Sequence, residues 1–196
     1  MLALPRGGVP VAARVAERIA GDLDLVFARK ISMPGRPEFG VGALAEDGTP
    51  VLNRAALHYL GLTEADLTEP IAAERAELAR RARRYRGRRP PPPVADRVVV
   101  VVDDGLATGI TAHAALRWLR PQRPRRLLIA APVCSRQAYQ ALADDADTVV
   151  CLHIPEPFAA VGQWYTDFHQ LTDADVDAAL TGCAAPRPPL APPARQ

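Results

Sequence analysis

The sequence predicts an α/β protein with an open parallel sheet of about five strands and helices on both faces. Five consecutive valines, residues 98–102, form a run that is too short and too β-branched for a helix. Such a run is typical of a strand buried on both faces. A glycine-containing loop and an amphipathic helical pattern follow it, and the start of the chain has the same order. Repeated strand–loop–helix units predict a parallel sheet.

The first part of the chain supplies two of these strands. The apolar stretches 1–4 and 23–28 predict strands, and the pattern over 9–20 predicts a helix between them. Pro10 suits the first turn of this helix and Gly21 suits its end.

An insertion over residues 31–97 interrupts the alternation of strands and helices. Residues 31–40 are expected to form a polar loop, and the stretches 41–45 and 50–52 are expected to pair as a hairpin. Two capped helical segments follow, and Pro70 is expected to break the second of them. The insertion is therefore predicted to contain a flexible loop, a hairpin and helices.

The alternation resumes after the insertion. Strands are predicted over 127–133 and 148–152, which brings the total to about five. The aromatic-rich stretch that follows is expected to form a small C-terminal hood over residues 153–182, so residues 1–182 are interpreted as one domain. Residues 183–196 contain five prolines and are expected to form a disordered tail.

Composition narrows the class of protein. The formal net charge is +2, too near neutral to indicate a nucleic-acid partner by itself. The cysteines lack the spacing of a metal or redox site, which favours a reducing compartment. No apolar run approaches the roughly 20 residues that span a membrane, and the start does not resemble a signal peptide. The protein is therefore expected to be cytoplasmic.

Two carboxylates, Asp103 and Asp104, follow the valine strand directly and precede a Gly/Thr loop that opens a helix. In open α/β sheets, ligands lie beyond the carboxyl ends of the strands. The backbone N–H groups of a helix N-terminus at that place bind phosphate, and the carboxylates suit ribose hydroxyls or a hard cation such as Mg²⁺. The pattern therefore predicts a ligand that carries a sugar, a phosphate and a metal.

This stretch resembles the phosphoribosyl pyrophosphate (PRPP) motif of type I phosphoribosyltransferases. The resemblance implies that Asp103 and Asp104 contact the ribose hydroxyls and share in holding Mg²⁺. It implies that the next loop binds the 5′-phosphate through Ala107, Thr108, Gly109, Ile110 and Thr111. The start of the chain, LPRGG, matches a subgroup of predicted phosphoribosyltransferases, and in the family the equivalent loop binds pyrophosphate. The corresponding residues here are Arg6, Gly7 and Gly8.

The resemblance also implies roles for residues outside these two loops. Adenine enzymes carry Arg-Lys after the next strand, on the pyrophosphate side, and here Arg29 and Lys30 occupy that place. Lys30 is the only lysine of the chain, which makes it a candidate catalytic residue together with Arg29, Asp103 and Asp104. The IPxxF…VG pattern resembles the hood of hypoxanthine-guanine enzymes, so Phe158, or alternatively Trp164, is expected to stack on the base.

The first position of the phosphate loop bears on the acceptor. In hypoxanthine-guanine enzymes this position is an aspartate, whereas here it is Ala107, so the acceptor is not expected to be a 6-oxopurine. The implied reaction is transfer of the 5-phosphoribosyl group from PRPP to a nitrogenous base, with release of pyrophosphate, as in nucleotide salvage. The implied partners are PRPP and a small base, and a homodimer is compatible with the sequence.

Two alternatives remain open. A haloacid-dehalogenase-type phosphatase also places aspartate after a buried strand, but its motif needs Asp-x-Asp and a downstream lysine, whereas here the two aspartates are adjacent and no lysine follows Asp104. The other alternative is a non-catalytic regulator that binds PRPP on the same fold. Such a regulator could bind RNA through the seven arginines within residues 80–89, although the ordinary interpretation of this run is a solvated helix end.

Overall fold

The computed structural model describes residues 1–33 and 35–184, except for the side chains of residues 37, 38, 183 and 184. Of the predicted tail, 183–196, residues 185–196 lie outside the described residues, whereas residues 183 and 184 belong to the last helix, so the predicted start of the tail is wrong. Within them the strands are β1 (Leu2–Ala3), β2 (Asp24–Leu25), β3 (Arg29–Met33), β4 (Arg36–Leu44), β5 (Pro50–Leu52), β6 (Val98–Val102), β7 (Arg126–Val133) and β8 (Thr148–His153). The α-helices are α1 (Gly8–Ile19), α2 (Arg54–Leu60), α3 (Thr68–Arg86), α4 (Ile110–Leu119), α5 (Arg136–Leu142) and α6 (Asp173–Ala184).

The main sheet has five parallel strands in the order β2-β1-β6-β7-β8, as the sequence predicted. The valine strand β6 lies at its centre, and its side chains alternate between two hydrophobic cores. Val99 and Val101 pack with residues of α4 and α5, whereas Val102 packs with residues of α1 and α3. Helices therefore cover both faces of the sheet, and β6 is buried because its neighbours pair with it on both edges.

A second, antiparallel sheet is formed by β3, β4 and β5. The prediction of a polar loop over 31–40 is wrong, because β3 and β4 pair through this region. Ile31 is fully buried in the core, and Ala43 and Ala45 pack against Ala114 of α4. The predicted hairpin is confirmed as the pairing of β4 with β5.

Helix α3 is one helix of 19 residues, so the predicted break at Pro70 is wrong. Pro70 is the third residue of α3. A backbone N–H at this position has no acceptor within the helix, so proline, which lacks the N–H, breaks no helical hydrogen bond there. A short 3₁₀ helix, Ala65–Leu67, comes directly before α3. The Thr63 backbone N–H and hydroxyl, just before this 3₁₀ helix, both donate to the Asp66 carboxylate.

Cys134, directly after β7, and Cys151 of β8 form a disulfide. This pairing could not be predicted from the spacing of the cysteines, because the two residues come together only through the parallel pairing of β7 with β8. These two cysteines therefore do not support the reducing compartment that their spacing favoured. Among the described residues, no helix combines the length and the apolar character needed to cross a bilayer.

A buried ion pair between Glu46 and Arg86 joins the insertion to the main sheet. The Arg86 guanidinium also donates to the Leu25 carbonyl oxygen at 2.6 Å and lies 4.9 Å from the centre of the Phe27 ring. The Glu46 carboxylate accepts the Phe27 backbone N–H at 3.0 Å. The interpretation of residues 80–89 as a solvated helix end is thus wrong for Arg86, whose side chain is only 6% exposed.

Arg86→Met is expected to destabilise the protein by about 3 kcal/mol, because it leaves the Glu46 charge buried without its partner. Denaturant-induced unfolding of the variant measures this loss. Arg14→Met, which breaks an exposed ion pair with Glu17 on α1, is the control and is expected to cost below about 1 kcal/mol. A loss for Arg86→Met no larger than the control's would show that the buried pair does not stabilise the fold.

Candidate active site

The loop after β1 and the end of β6 are in direct contact. β1 pairs with β6, and the Leu4 backbone N–H donates to the Val102 carbonyl oxygen at 2.9 Å. The chain then turns so closely over β6 that a Cβ atom at Gly7 would overlap the Asp104 carboxylate. A Cβ at Gly8 would lie 2.9 Å from the Asp103 Cα, closer than side chains tolerate. The two glycines therefore allow the loop after β1, called the first loop below, to pack against Asp103 and Asp104, called the acidic pair.

The loop after the acidic pair leads into α4. Gly109 precedes the helix with a φ of 70°, in the left-handed region that favours glycine. The Ser135 hydroxyl donates to the Ala107 carbonyl oxygen at 2.6 Å and accepts the Ala138 backbone N–H at 3.0 Å. Ser135 thus caps α5 and fixes the first residue of the predicted phosphate loop, which runs from Ala107 to Thr111.

The electrostatics of the acidic pair are unfavourable in the protein alone. Burial raises the pKa of the Asp103 carboxyl well above its usual range, and the neighbouring Asp104 charge raises it further. Burial also raises the pKa of Asp104. The Asp104 backbone N–H donates to Asp103 at 3.0 Å, which offsets part of this penalty. Two crowded, desolvated carboxylates of this kind are characteristic of a site that binds a ligand.

A cavity of about 570 Å³ opens beside the acidic pair. Its lining brings the loop after β1 together with Asp104, helix α3 and the C-terminal segment. The residues concerned are Arg6, Gly7, Pro10, Val11, Arg81, Asp104, Tyr165, Asp167, Phe168, His169, Gln170 and Leu171. The volume and the mixture of apolar and charged groups suit a small polar ligand.

Arg6 extends from the first loop toward α6. Its guanidinium lies 3.5 Å from the Asp173 carboxylate, which also accepts the Tyr85 hydroxyl of α3. The pKa of Asp173 is lowered, first by the bond from Tyr85 and then by the Arg6 and Arg84 charges. Asp173 therefore stays ionised and is an internal counter-charge for Arg6.

Tyr165 and Phe168 are the aromatic side chains that line this cavity. The Tyr165 hydroxyl donates to the Asp104 carbonyl oxygen at 2.6 Å, and the Tyr165 and Phe168 rings are 5.2 Å apart. Trp164 instead contacts His153 edge-on, and neither Trp164 nor Phe158 is among the described residues that line the cavity. The sequence showed that an aromatic group lies in this segment but had no clear period from which to choose among its members.

Arg29 and Lys30 are the first two residues of β3. The Arg29 Nε atom donates to the Glu74 carboxylate of α3 at 2.7 Å. Lys30 pairs in register with Ala43, and its stem packs over Gly40, since a Cβ there would be 3.1 Å from the Lys30 Cδ. β3 belongs to the sheet that packs on α4, the helix opened by the phosphate loop.

The acidic pair offers a limited ligand set for a metal. Within the described residues no group of three or more potential ligands among His, Cys, Asp and Glu lies together. Mg²⁺ usually binds through one or two carboxylates and completes its shell with water and substrate oxygens. Asp103 and Asp104 fit that arrangement, because they are two adjacent, desolvated carboxylates and Asp104 lines a cavity that could hold a phosphorylated substrate.

Comparison with known proteins identifies the family. A family profile described as "Phosphoribosyl transferase domain" matches residues 1–168. The chain belongs to the phosphoribosyl transferase family. The crystal structure of TT1426 from Thermus thermophilus is similar, with 46% identity, a TM-score of 0.76, and coverage of 94% of this chain and 87% of that one. The chain thus has the fold predicted from its sequence.

Two Mycobacterium tuberculosis proteins, from strains CDC 1551 and H37Rv, are also similar. Their names assign them provisionally to the phosphoribosyl transferases, and each is 41% identical over 180 residues. The match covers 92% of this chain but 41% of the length of each relative. The phosphoribosyl transferase described here therefore spans about two fifths of the length of the curated relatives that it matches.

Asp103→Asn is expected to stabilise the protein at neutral pH, because it removes a buried charge and retains an oxygen for the Asp104 N–H. The pKa of Asp103 is raised on folding, so the stability of the wild type falls as pH rises through that pKa. The advantage of the variant should therefore be present at pH 8 and vanish below about pH 4, near the ordinary aspartate pKa.

Melting temperatures of both proteins across this pH range measure the effect. Asp144→Asn, at an exposed carboxylate, is the control and should give no pH-dependent difference. If Asp103→Asn lowers the melting temperature at pH 8, the Asp103 carboxylate contributes to the fold instead of destabilising it.

Proposed function

We propose that this protein transfers the 5-phosphoribosyl group of PRPP to a nitrogenous base, releases pyrophosphate and produces a nucleoside monophosphate, as a cytoplasmic enzyme of nucleotide salvage. The observation that carries the proposal is the contact of Gly7 and Gly8 with the acidic pair. It places the first loop against the two carboxylates, beside a cavity that Arg6, Gly7 and Asp104 line, and the family membership supports the same chemistry.

The proposed substrate matches the groups around this cavity. Asp103 and Asp104 can accept hydrogen bonds from the two ribose hydroxyls, which are donors that their desolvated oxygens require. The backbone N–H groups of residues 107–111, at the start of α4, suit the 5′-phosphate. Arg6 and the backbone of Gly7 and Gly8 then face the diphosphate. Mg²⁺ held by the acidic pair and substrate oxygens would share the negative charge of the diphosphate.

The reaction breaks the bond between C1 of the ribose and the diphosphate oxygen and forms a bond from C1 to the base nitrogen. Positive charge develops on the ribose ring as the diphosphate departs, and the nearby carboxylates stabilise that charge. Arg6 stabilises the departing anion. Tyr165 and Phe168 offer apolar surface beside Asp104, which suits a planar base and excludes water from C1.

A screen with purified protein, Mg²⁺, PRPP and a panel of bases tests the proposal by detecting pyrophosphate. At least one base is expected to give turnover, and guanine and hypoxanthine are expected to be poor acceptors because Ala107 cannot exchange a proton with the base. Asp103→Asn combined with Asp104→Asn should abolish PRPP binding in calorimetry while the protein stays folded. Unchanged PRPP affinity in this variant would contradict the assignment of the acidic pair.

The same screen separates the enzyme from a non-catalytic regulator. PRPP binding without turnover of any base would favour a PRPP sensor. RNA binding through residues 80–89 has little structural support, because Arg80, Arg81, Arg84 and Arg86 form ion pairs with carboxylates of the protein.

Lys30→Ala is expected to lower kcat/KM by about tenfold, equivalent to about 1.4 kcal/mol of transition-state stabilisation. A lysine ammonium on its flexible stem can follow a moving phosphate, so Lys30→Arg should restore only part of the activity. Arg18→Ala, at an exposed cation of α1, is the control for a general loss of positive charge. Wild-type kinetics for Lys30→Ala on a base that the screen identifies would exclude a catalytic role.

A further inference from the structure

Helix α3 brings a second arginine, Arg81, to the cavity that Arg6 and Asp104 line. The sequence places Arg81 in a run of arginines at a helix end, where a solvated side chain is the ordinary expectation. Its side chain is only 22% exposed, whereas that of the preceding Arg80 is 59% exposed. The two neighbouring arginines therefore differ in environment, and only Arg81 is among the described residues lining the cavity.

The spacing of residues on α3 explains this orientation. Leu78 and Tyr85 are buried in the hydrophobic core, and Arg81 lies three residues after the first and four before the second. Residues at this spacing share one face of a helix, so the core contacts of Leu78 and Tyr85 direct Arg81 inward. Arg80 precedes Arg81 by one residue, so its side chain projects about 100° away from this face around the helix axis.

Arg81 and Arg6 lie near the same hydroxyl group. Burial and the Asp173 carboxylate raise the pKa of Tyr85 to about 12, and the Arg6 and Arg81 charges both act against this rise. The Tyr85 hydroxyl donates to Asp173, which also contacts Arg6. The lining of the cavity thus includes arginines from two different elements, Arg6 of the loop after β1 and Arg81 of α3.

Arg80 and Arg81 both donate hydrogen bonds to Glu77, but they differ in which guanidinium nitrogen atoms remain available to bind a ligand. Arg80 donates to the Glu77 carboxylate through both Nε and Nη2, at 2.7 and 2.9 Å. Arg81 donates through Nε at 2.7 Å, so Glu77 engages neither of its two Nη groups. Glu77 stays ionised because these hydrogen bonds lower its pKa to about 2. Glu77 therefore anchors the Arg81 stem and leaves the end of the guanidinium to the cavity.

We propose that Arg81 is a substrate-binding residue that contacts the diphosphate of PRPP together with Arg6. This inference rests on the proposed function. A diphosphate carries several negative charges into a cavity that already contains the Asp104 carboxylate, and the Asp173 carboxylate occupies part of the Arg6 guanidinium. A second guanidinium, anchored at Nε and open at both Nη groups, supplies the missing positive charge in the fork geometry that suits phosphate oxygens.

Arg80→Gln is the matched control for Arg81→Gln. Both variants remove one positive charge from the same helix and break the hydrogen bonding to Glu77, two bonds for Arg80 and one for Arg81, and their melting temperatures check that both stay folded. Calorimetric titration with inorganic pyrophosphate, and separately with PRPP, in the presence of Mg²⁺ measures the affinities. Arg81→Gln is expected to weaken the binding of both ligands at least tenfold, Arg80→Gln less than twofold, and Arg81→Lys by an intermediate factor.

The outcomes separate this inference from the proposed function. If the wild type binds PRPP and the two glutamine variants bind it equally well, Arg81 does not contact the diphosphate and the proposed function stands. If pyrophosphate binds in an Arg81-dependent manner but PRPP does not bind, the anion site stands and the proposed function falls. If the wild type binds neither ligand, both proposals are overturned.

Discussion

The candidate site depends on the close approach of the loop after β1 to the end of β6. Because β1 and β6 are parallel neighbours, their carboxyl ends meet at one edge of the sheet, and the chain after Leu4 turns directly over the acidic pair. Only residues without a Cβ atom permit this packing at Gly7 and Gly8. Without that contact, Arg6 and the acidic pair would not face one cavity, so two glycines couple the packing of the main sheet to the chemistry of its edge.

Side chains of helix α3 bind several other charged side chains near this edge of the main sheet. Along its length, Glu74 holds Arg29, Tyr85 holds the Asp173 carboxylate that pairs with Arg6, and Arg86 forms the buried pair with Glu46. The insertion is therefore more than an interruption of the α/β alternation. It connects the start of β3, the loop after β1 and the start of α6 through side chains on a single rigid element.

Local patterns in the sequence predicted the main sheet and the two loops, because buried strands and glycine turns are encoded by adjacent residues. They did not predict β3 and the first part of β4, since residues 31–40 are stabilised by pairing across the sheet rather than by their own propensity. The choice of Tyr165 and Phe168 over Phe158 and Trp164 at the cavity also depends on tertiary packing. The burial of Arg86 could not be predicted either, because its partner Glu46 lies on a distant turn.

The distribution of charge explains why such a site would bind a sugar diphosphate. Both arginines among the described residues that line the cavity are paired with a carboxylate of the protein: Arg6 with Asp173 and Arg81 with Glu77. Within the described part of the chain, Asp103 and Asp104 form no ion pair, although both are desolvated. A ligand with hydroxyl donors and an anionic diphosphate would complement both sets of groups at once. The charges that destabilise the free protein are thus the ones that this ligand would stabilise.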